Sequence, residues 1–83
     1  MSLINEIHKL ERLHQLVRRQ ATGSPKELAG KMQISRRTVF RMIDTLKEIG
    51  CPVYFNKEKN SYCYHYPIKL TFLKIENNNP DNE

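Results

Sequence analysis

The chain has 83 residues, 39% hydrophobic and 28% charged, with a formal net charge of +5 and a pI near 9.4. That length allows one domain with a thin core, since a chain this small buries only about 60–65% of its unfolded surface. No apolar run approaches the roughly 20 residues that span a bilayer. Met1-Ser2-Leu3-Ile4-Asn5-Glu6 lacks the basic-then-apolar pattern of a secretory leader, so the expected location is the cytoplasm, away from any membrane. The cationic excess suits a nucleic-acid partner if it is concentrated on one face.

The spacing of Leu3, Ile7, Leu10, His14 and Val17, widened by Leu13 and Leu16, predicts an amphipathic helix from residue 3 to about 21, stopped by Thr22-Gly23. Ser24 opens a second helix as N-cap. Pro25 stands at the first helical position, and Glu27 completes a capping box. Leu28, Ala29 and Met32 supply the inward face of this short helix before Gln33-Ile34. Ser35 caps a third helix running to about Ile49, with Val39, Met42, Ile43, Leu46 and Ile49 as its stripe. Gly50 and then Pro52 end it. A hairpin follows, with Val53-Tyr54-Phe55 as one strand, Lys57-Glu58-Lys59-Asn60 as the turn, and Tyr62 to Tyr66 as the return. Residues 68–72 alternate as a further strand would, and residues 76–83 read as a disordered polar tail beyond a domain of residues 1–75. The fold class is mainly α with a small β-hairpin: three helices plus a wing.

The short link between the second and third helices predicts a steep crossing, with Ala29 giving the small side chain needed at the approach and Ile34 plugging the corner. At about 100° per residue, Arg37, Arg41, Asp44 and Glu48 fall opposite the stripe of the third helix. Arg36, Arg37, Thr38 and Arg41 cluster in its first two turns, and the acids follow. A helix-turn-helix inserts the N-terminal part of its second helix into the major groove, where Arg can grip guanine or phosphate. Lys57 and Lys59 at the hairpin tip are placed to touch the backbone or minor groove.

Ser24-Pro25-Lys26-Glu27-Leu28-Ala29, Ile34-Ser35-Arg36-Arg37-Thr38-Val39-Phe40-Arg41 and Leu46-Lys47-Glu48-Ile49-Gly50-Cys51-Pro52-Val53 together resemble the type-11 (biotin-repressor-like or DeoR-like) winged helix-turn-helix family. That domain stands at the N-terminus of regulators carrying a WYL domain. The resemblance covers about residues 8–66 and implies that Ser35, Arg36, Arg37, Thr38, Phe40 and Arg41 face DNA. It departs from the family at Met42, where an acid is usual, and at Asn60-Ser61, where the wing usually has glycine. With no effector domain within these residues, the usual ligand-sensing half is not expected.

Other chemistries have less support. The chain has no Gly-rich phosphate loop, no Ser-His-Asp set and no paired His-Glu helix motif, so neither enzyme activity nor a cofactor is expected. His8 and His14 do not share a helix face, and His14 reads as a packed or interfacial residue. Cys51 and Cys63 read as reduced, half-buried strand residues; with His65 they would still lack a fourth zinc ligand. A winged helix that binds protein would lose the basic face of the third helix. A tyrosine row at Tyr62, Tyr64 and Tyr66 that stacks RNA bases competes with one that covers the core. Helix one carries more apolar residues than two short helices cover, with Leu3, Ile4 and Ile7 lacking an obvious partner. This points to a homodimer through that helix or through residues 68–75, against a monomer in which residues 68–75 fold back over it.

Overall fold

The computed structural model describes residues 3–68 and the side chains of residues 5–68. Three helices, α1 (Leu3–Arg18), α2 (Pro25–Met32) and α3 (Arg36–Glu48), precede an antiparallel hairpin of β1 (Val53–Asn56) and β2 (Ser61–Tyr64). This mostly helical order is that of a winged helix-turn-helix. The register pairs Val53 with Tyr64 and Asn56 with Ser61. The expected strand at 68–72, the boundary at residue 75, the tail at 76–83 and the side chains of Leu3 and Ile4 lie outside the described residues.

One core holds the elements together. Leu13 and Val17 of α1, Leu28 and Ala29 of α2, and Val39, Met42, Ile43 and Leu46 of α3 are buried with Cys51, Val53 and Tyr62. Each fully buried Leu contributes about 1.5–3 kcal/mol of transfer free energy. Ile34 packs half-buried against this cluster, so the short α2–α3 link is closed by an apolar side chain. Ile7 packs there too, so it does not lack a partner within the chain. His14 is buried, with Nδ1 2.9 Å from the Tyr64 hydroxyl.

All three helices end in the same way. In each, a left-handed residue donates to the carbonyl three residues back, and the next residue donates to the carbonyl five back, the Schellman pattern. The left-handed residues are Gln20 (φ 56), Gln33 (φ 57) and Gly50 (φ 100). The second bonds run from Ala21 to Leu16, Ile34 to Ala29 and Cys51 to Leu46. Gln20 thus ends α1 before the expected stop at Thr22-Gly23.

The return strand is shorter than expected. Val53–Tyr64 is the last pair because Pro52, having no N–H, cannot donate to a further rung; its carbonyl accepts from His65 N at 2.9 Å. Tyr66 therefore stands off the strand and is 59% exposed, and the three tyrosines do not form one row. Tyr62 is in the core and Tyr64 packs half-buried against it. The thiols are more deeply placed than expected: Cys51 and Cys63 are free and fully buried, and Cys51 precedes β1 rather than lying in a strand.

Candidate nucleic-acid interface

The helix-turn-helix is fixed by caps legible in the residues themselves. Ser24 Oγ accepts from Glu27 N at 3.1 Å, and Glu27 Oε1 accepts from Ser24 N at 2.7 Å. This capping box satisfies two of the N–H groups that a helix start leaves unpaired. The cap hydrogen bonds and the Asn60 amide, with Lys31 adding a smaller attraction, hold the Glu27 carboxyl below its ordinary value. At α3, Ser35 Oγ accepts from Thr38 N at 3.1 Å and lies 2.9 Å from Thr38 Oγ1. Ser35 and Thr38 are thus engaged with each other at the start of α3, Ser35 exposed and Thr38 half-buried.

Val39, Met42, Ile43 and Leu46 take the buried side of α3, and Arg36, Arg37, Phe40, Arg41, Asp44, Lys47 and Glu48 are exposed. The guanidinium groups of Arg36, Arg37 and Arg41 have no hydrogen-bond or ion-pair partner among the described residues. Phe40 is 50% exposed, a large apolar ring beside three cations. Arg41 and Thr38 also line a cleft of about 470 Å³ between α3 and the first half of α1, where Lys9, Glu6 and Leu10 form the opposite wall. Three cationic side chains elsewhere are engaged with the chain itself. Arg12 donates to Lys31 O at 3.1 Å, Lys31 Nζ to Ala21 O at 2.6 Å, and Arg18 to Gln15 Oε1 at 2.8 Å.

Lys57 and Lys59 are exposed on the hairpin turn. Asn56 Oδ1 accepts from Lys59 N at 3.0 Å, and Asn60 closes the turn at φ 51. The hairpin is then tied to the α1–α2 loop by a buried polar cluster that sequence reasoning missed. Thr22 N donates to Ser61 Oγ at 3.1 Å, Tyr62 N to Thr22 Oγ1 at 2.8 Å, Thr22 Oγ1 to Gly23 O at 2.9 Å, and Ser61 Oγ to Tyr62 O at 2.9 Å. Thr22 and Ser61 are both at most 1% exposed. At the other end of β2, the Tyr64 hydroxyl sits between His14 and the Cys51 thiol. Burial pushes the Cys51 thiol up, partly offset by the Tyr64 hydrogen bond. Burial, then Cys51, pushes the Tyr64 phenol far up. Cys51 therefore stays a protonated structural thiol. His65 is not beside it in a metal set: its ring stacks on Tyr54 at 4.2 Å, and no His/Cys/Asp/Glu cluster among the described residues fits a metal ion.

A family model for the helix-turn-helix (HTH) domain of type 11 matches residues 9–64, more than half of the chain. The chain belongs to this HTH domain family. No curated protein and no solved structure matches it. The family match spans α2, α3, their link and both hairpin strands, so the exposed arginines lie on the second helix of an HTH unit. Membership makes DNA the partner to expect. No helix among the described residues is long and apolar enough to cross a membrane.

Proposed function

We propose that this HTH domain binds double-stranded DNA sequence-specifically as part of a transcription regulator, with α3 in the major groove and the hairpin as a wing along the backbone. The observation that carries the reading is the set Arg36, Arg37 and Arg41, exposed at the start of α3 and without partners among the described residues. Unpaired guanidinium groups keep their donor forks available for guanine edges and phosphates. Arg37 and Arg41 lie opposite the buried stripe and are assigned to base edges. Phe40 lies on the flank of that face, where an apolar ring meets the thymine methyl. Ser35 and Thr38 serve the docking through the cap they build, which holds the first turn and its N–H groups in place to face a phosphate. Lys57 and Lys59 contact backbone.

The test is a selection of bound sequences from random duplexes, followed by titration of the preferred duplex at several salt concentrations. With about five cationic contacts, log affinity falls with log salt at a slope of roughly −4 to −5. A flat response refutes the reading and favours a winged helix that binds protein. Arg37→Ala or Arg41→Ala costs about 1–3 kcal/mol on the preferred site and relaxes its sequence. Lys57→Ala weakens all sequences alike. Full sequence preference in both arginine variants refutes the placement of α3.

A further inference from the structure

We propose that Glu27 is a positioning residue for the wing: its carboxylate bridges the start of α2 to the hairpin turn through Asn60 and so holds Lys57 and Lys59 in the attitude that meets the DNA backbone. The inference rests on the wing contact assigned above.

A capping box requires one thing of its glutamate, acceptance of the N-cap N–H. Glu27 does this at 2.7 Å, and the same Oε1 accepts from Asn60 Nδ2 at 2.9 Å across 33 residues of sequence. The second bond adds nothing to the helix cap. It joins the HTH unit to the residue that ends the wing turn. Gly23 makes room for it. A Cβ at Gly23 would sit 2.7 Å from Glu27 Oε1 and 2.9 Å from Glu27 Cβ, at a φ of +74°. The absence of a side chain there leaves the carboxylate its place between cap and turn.

The bridge has a neighbour on each chain. Thr22, next to Gly23, and Ser61, next to Asn60, form the buried hydroxyl cluster. The hydroxyl pair therefore fixes the start of β2, and the Glu27–Asn60 bond fixes the last turn residue before it. Among the described residues, the turn beyond them is held by bonds within the turn itself, with Asn60 N donating to Lys57 O at 3.3 Å and Lys59 N to the Asn56 side-chain Oδ1 at 3.0 Å. The bridge is solvent-exposed, so it contributes little to folding free energy. Its effect is on orientation: without it the turn leaves the attitude in which Lys57 and Lys59 reach phosphates, and those contacts are lost from the complex.

The experiment uses the intact chain and five variants: Asn60→Gly, Glu27→Ala, Glu27→Gln, the double change Lys57→Ala/Lys59→Ala, and that double change combined with Asn60→Gly. Asn60→Gly removes the bridge, leaves the helix cap intact and suits the left-handed turn position, so the fold is retained. Glu27→Gln keeps an oxygen acceptor for both partners, and Glu27→Ala removes the same charge without one. Binding to the selected duplex is measured against salt. Loss of both lysine contacts makes the slope shallower by about two. Asn60→Gly and Glu27→Ala are expected to move toward that value while Glu27→Gln stays apart from them, close to the parent. Asn60→Gly added to the double lysine change is expected to have no further effect. An Asn60→Gly slope equal to the parent's, with the double lysine change still shallower, overturns the proposal and leaves the wing contact standing. A parental slope in the double lysine variant overturns the wing contact and the proposal with it.

Discussion

Thr22→Val tests whether the hydroxyl cluster joins the wing to the helices. Valine keeps the branched shape and the burial of Thr22, which is fully enclosed, and removes only the hydroxyl. Tyr62 N loses its acceptor at 2.8 Å and Gly23 O its donor at 2.9 Å. The Tyr62 N bond is not simply exchanged for a bond to water, because Thr22 and Tyr62 are buried. Leaving one buried donor unsatisfied costs about 1–3 kcal/mol. Gly23 is only half-buried, so the Tyr62 donor dominates the cost. For a domain of this size each kcal/mol lowers the melting temperature by about 4–8 °C, so Thr22→Val melts about 4–24 °C below the parent. Thermal unfolding followed by circular dichroism measures it, with Thr22→Ser as the control that keeps the hydroxyl. A Thr22→Val variant that melts with the parent would refute the assigned hydrogen bonds and with them this anchor of the wing.

Other outcomes follow from the caps, the core and the titrating groups. Gln33→Gly relieves a left-handed side-chain residue, whose strain is about 1–2 kcal/mol, against a backbone entropy cost of about 0.5–1 kcal/mol; urea unfolding should give a higher midpoint. Leu28→Ala removes a fully buried side chain and should cost about 2–5 kcal/mol by the same assay. The Glu27 carboxyl is held below its ordinary value of 4.5, so its contribution is present above pH 4.5 and lost as pH falls through the lower folded value; Glu27→Gln should flatten that part of the acid stability profile. Cys51 and Tyr64 are raised from 9.0 and 10.0, so their contribution is present below those values and lost as pH rises through the higher folded ones. Tyr64→Phe should make the alkaline fall above pH 10 shallower, and an unchanged profile would contradict the burial assigned to the phenol.

The parts of this fold that were readable in the sequence are those set by short-range chemistry. Ser24-Pro25-x-Glu27 specifies a helix start from four neighbouring residues, and the box forms. Gly50 with Pro52 specifies a helix end because one residue accepts a positive φ and the other blocks continuation. The end of α1 was not readable, because glutamine carries no preference for the left-handed conformation that Gln20 adopts; the nearby Thr22-Gly23 was the stronger local signal. The contact of Ile7 with the core is not legible in the sequence, because a one-dimensional stripe does not reveal how far the core reaches. The wing anchors lay further out of sight. Thr22 and Ser61 are small polar residues separated by 39 positions, and hydroxyls of that kind stand in loops and turns everywhere. Only their joint burial distinguishes them.

The same distinction governs the charges. A net charge of +5 from 14 Lys and Arg is compatible with cations spread evenly over the surface, and a repelling acid beside each would cancel any field. In the folded chain three of the cations bond the protein itself. Arg12, Arg18 and Lys31 are engaged with carbonyl or amide oxygens of the chain itself, two of them bracing the joints between α1, its following loop and α2. Arg36, Arg37 and Arg41 are engaged with none among the described residues, while Asp44 and Glu48 come only later on the exposed side of α3. Such a helix is electrostatically directional: its first two turns carry three cations and no acid, while in its last turns Asp44 and Glu48 outnumber Lys47. That polarity favours entry into a groove by the N-terminal end, the end that Ser35 and Thr38 hold rigid through their cap. The proposed docking thus follows from the order of charges along a single helix, independent of how large the total is.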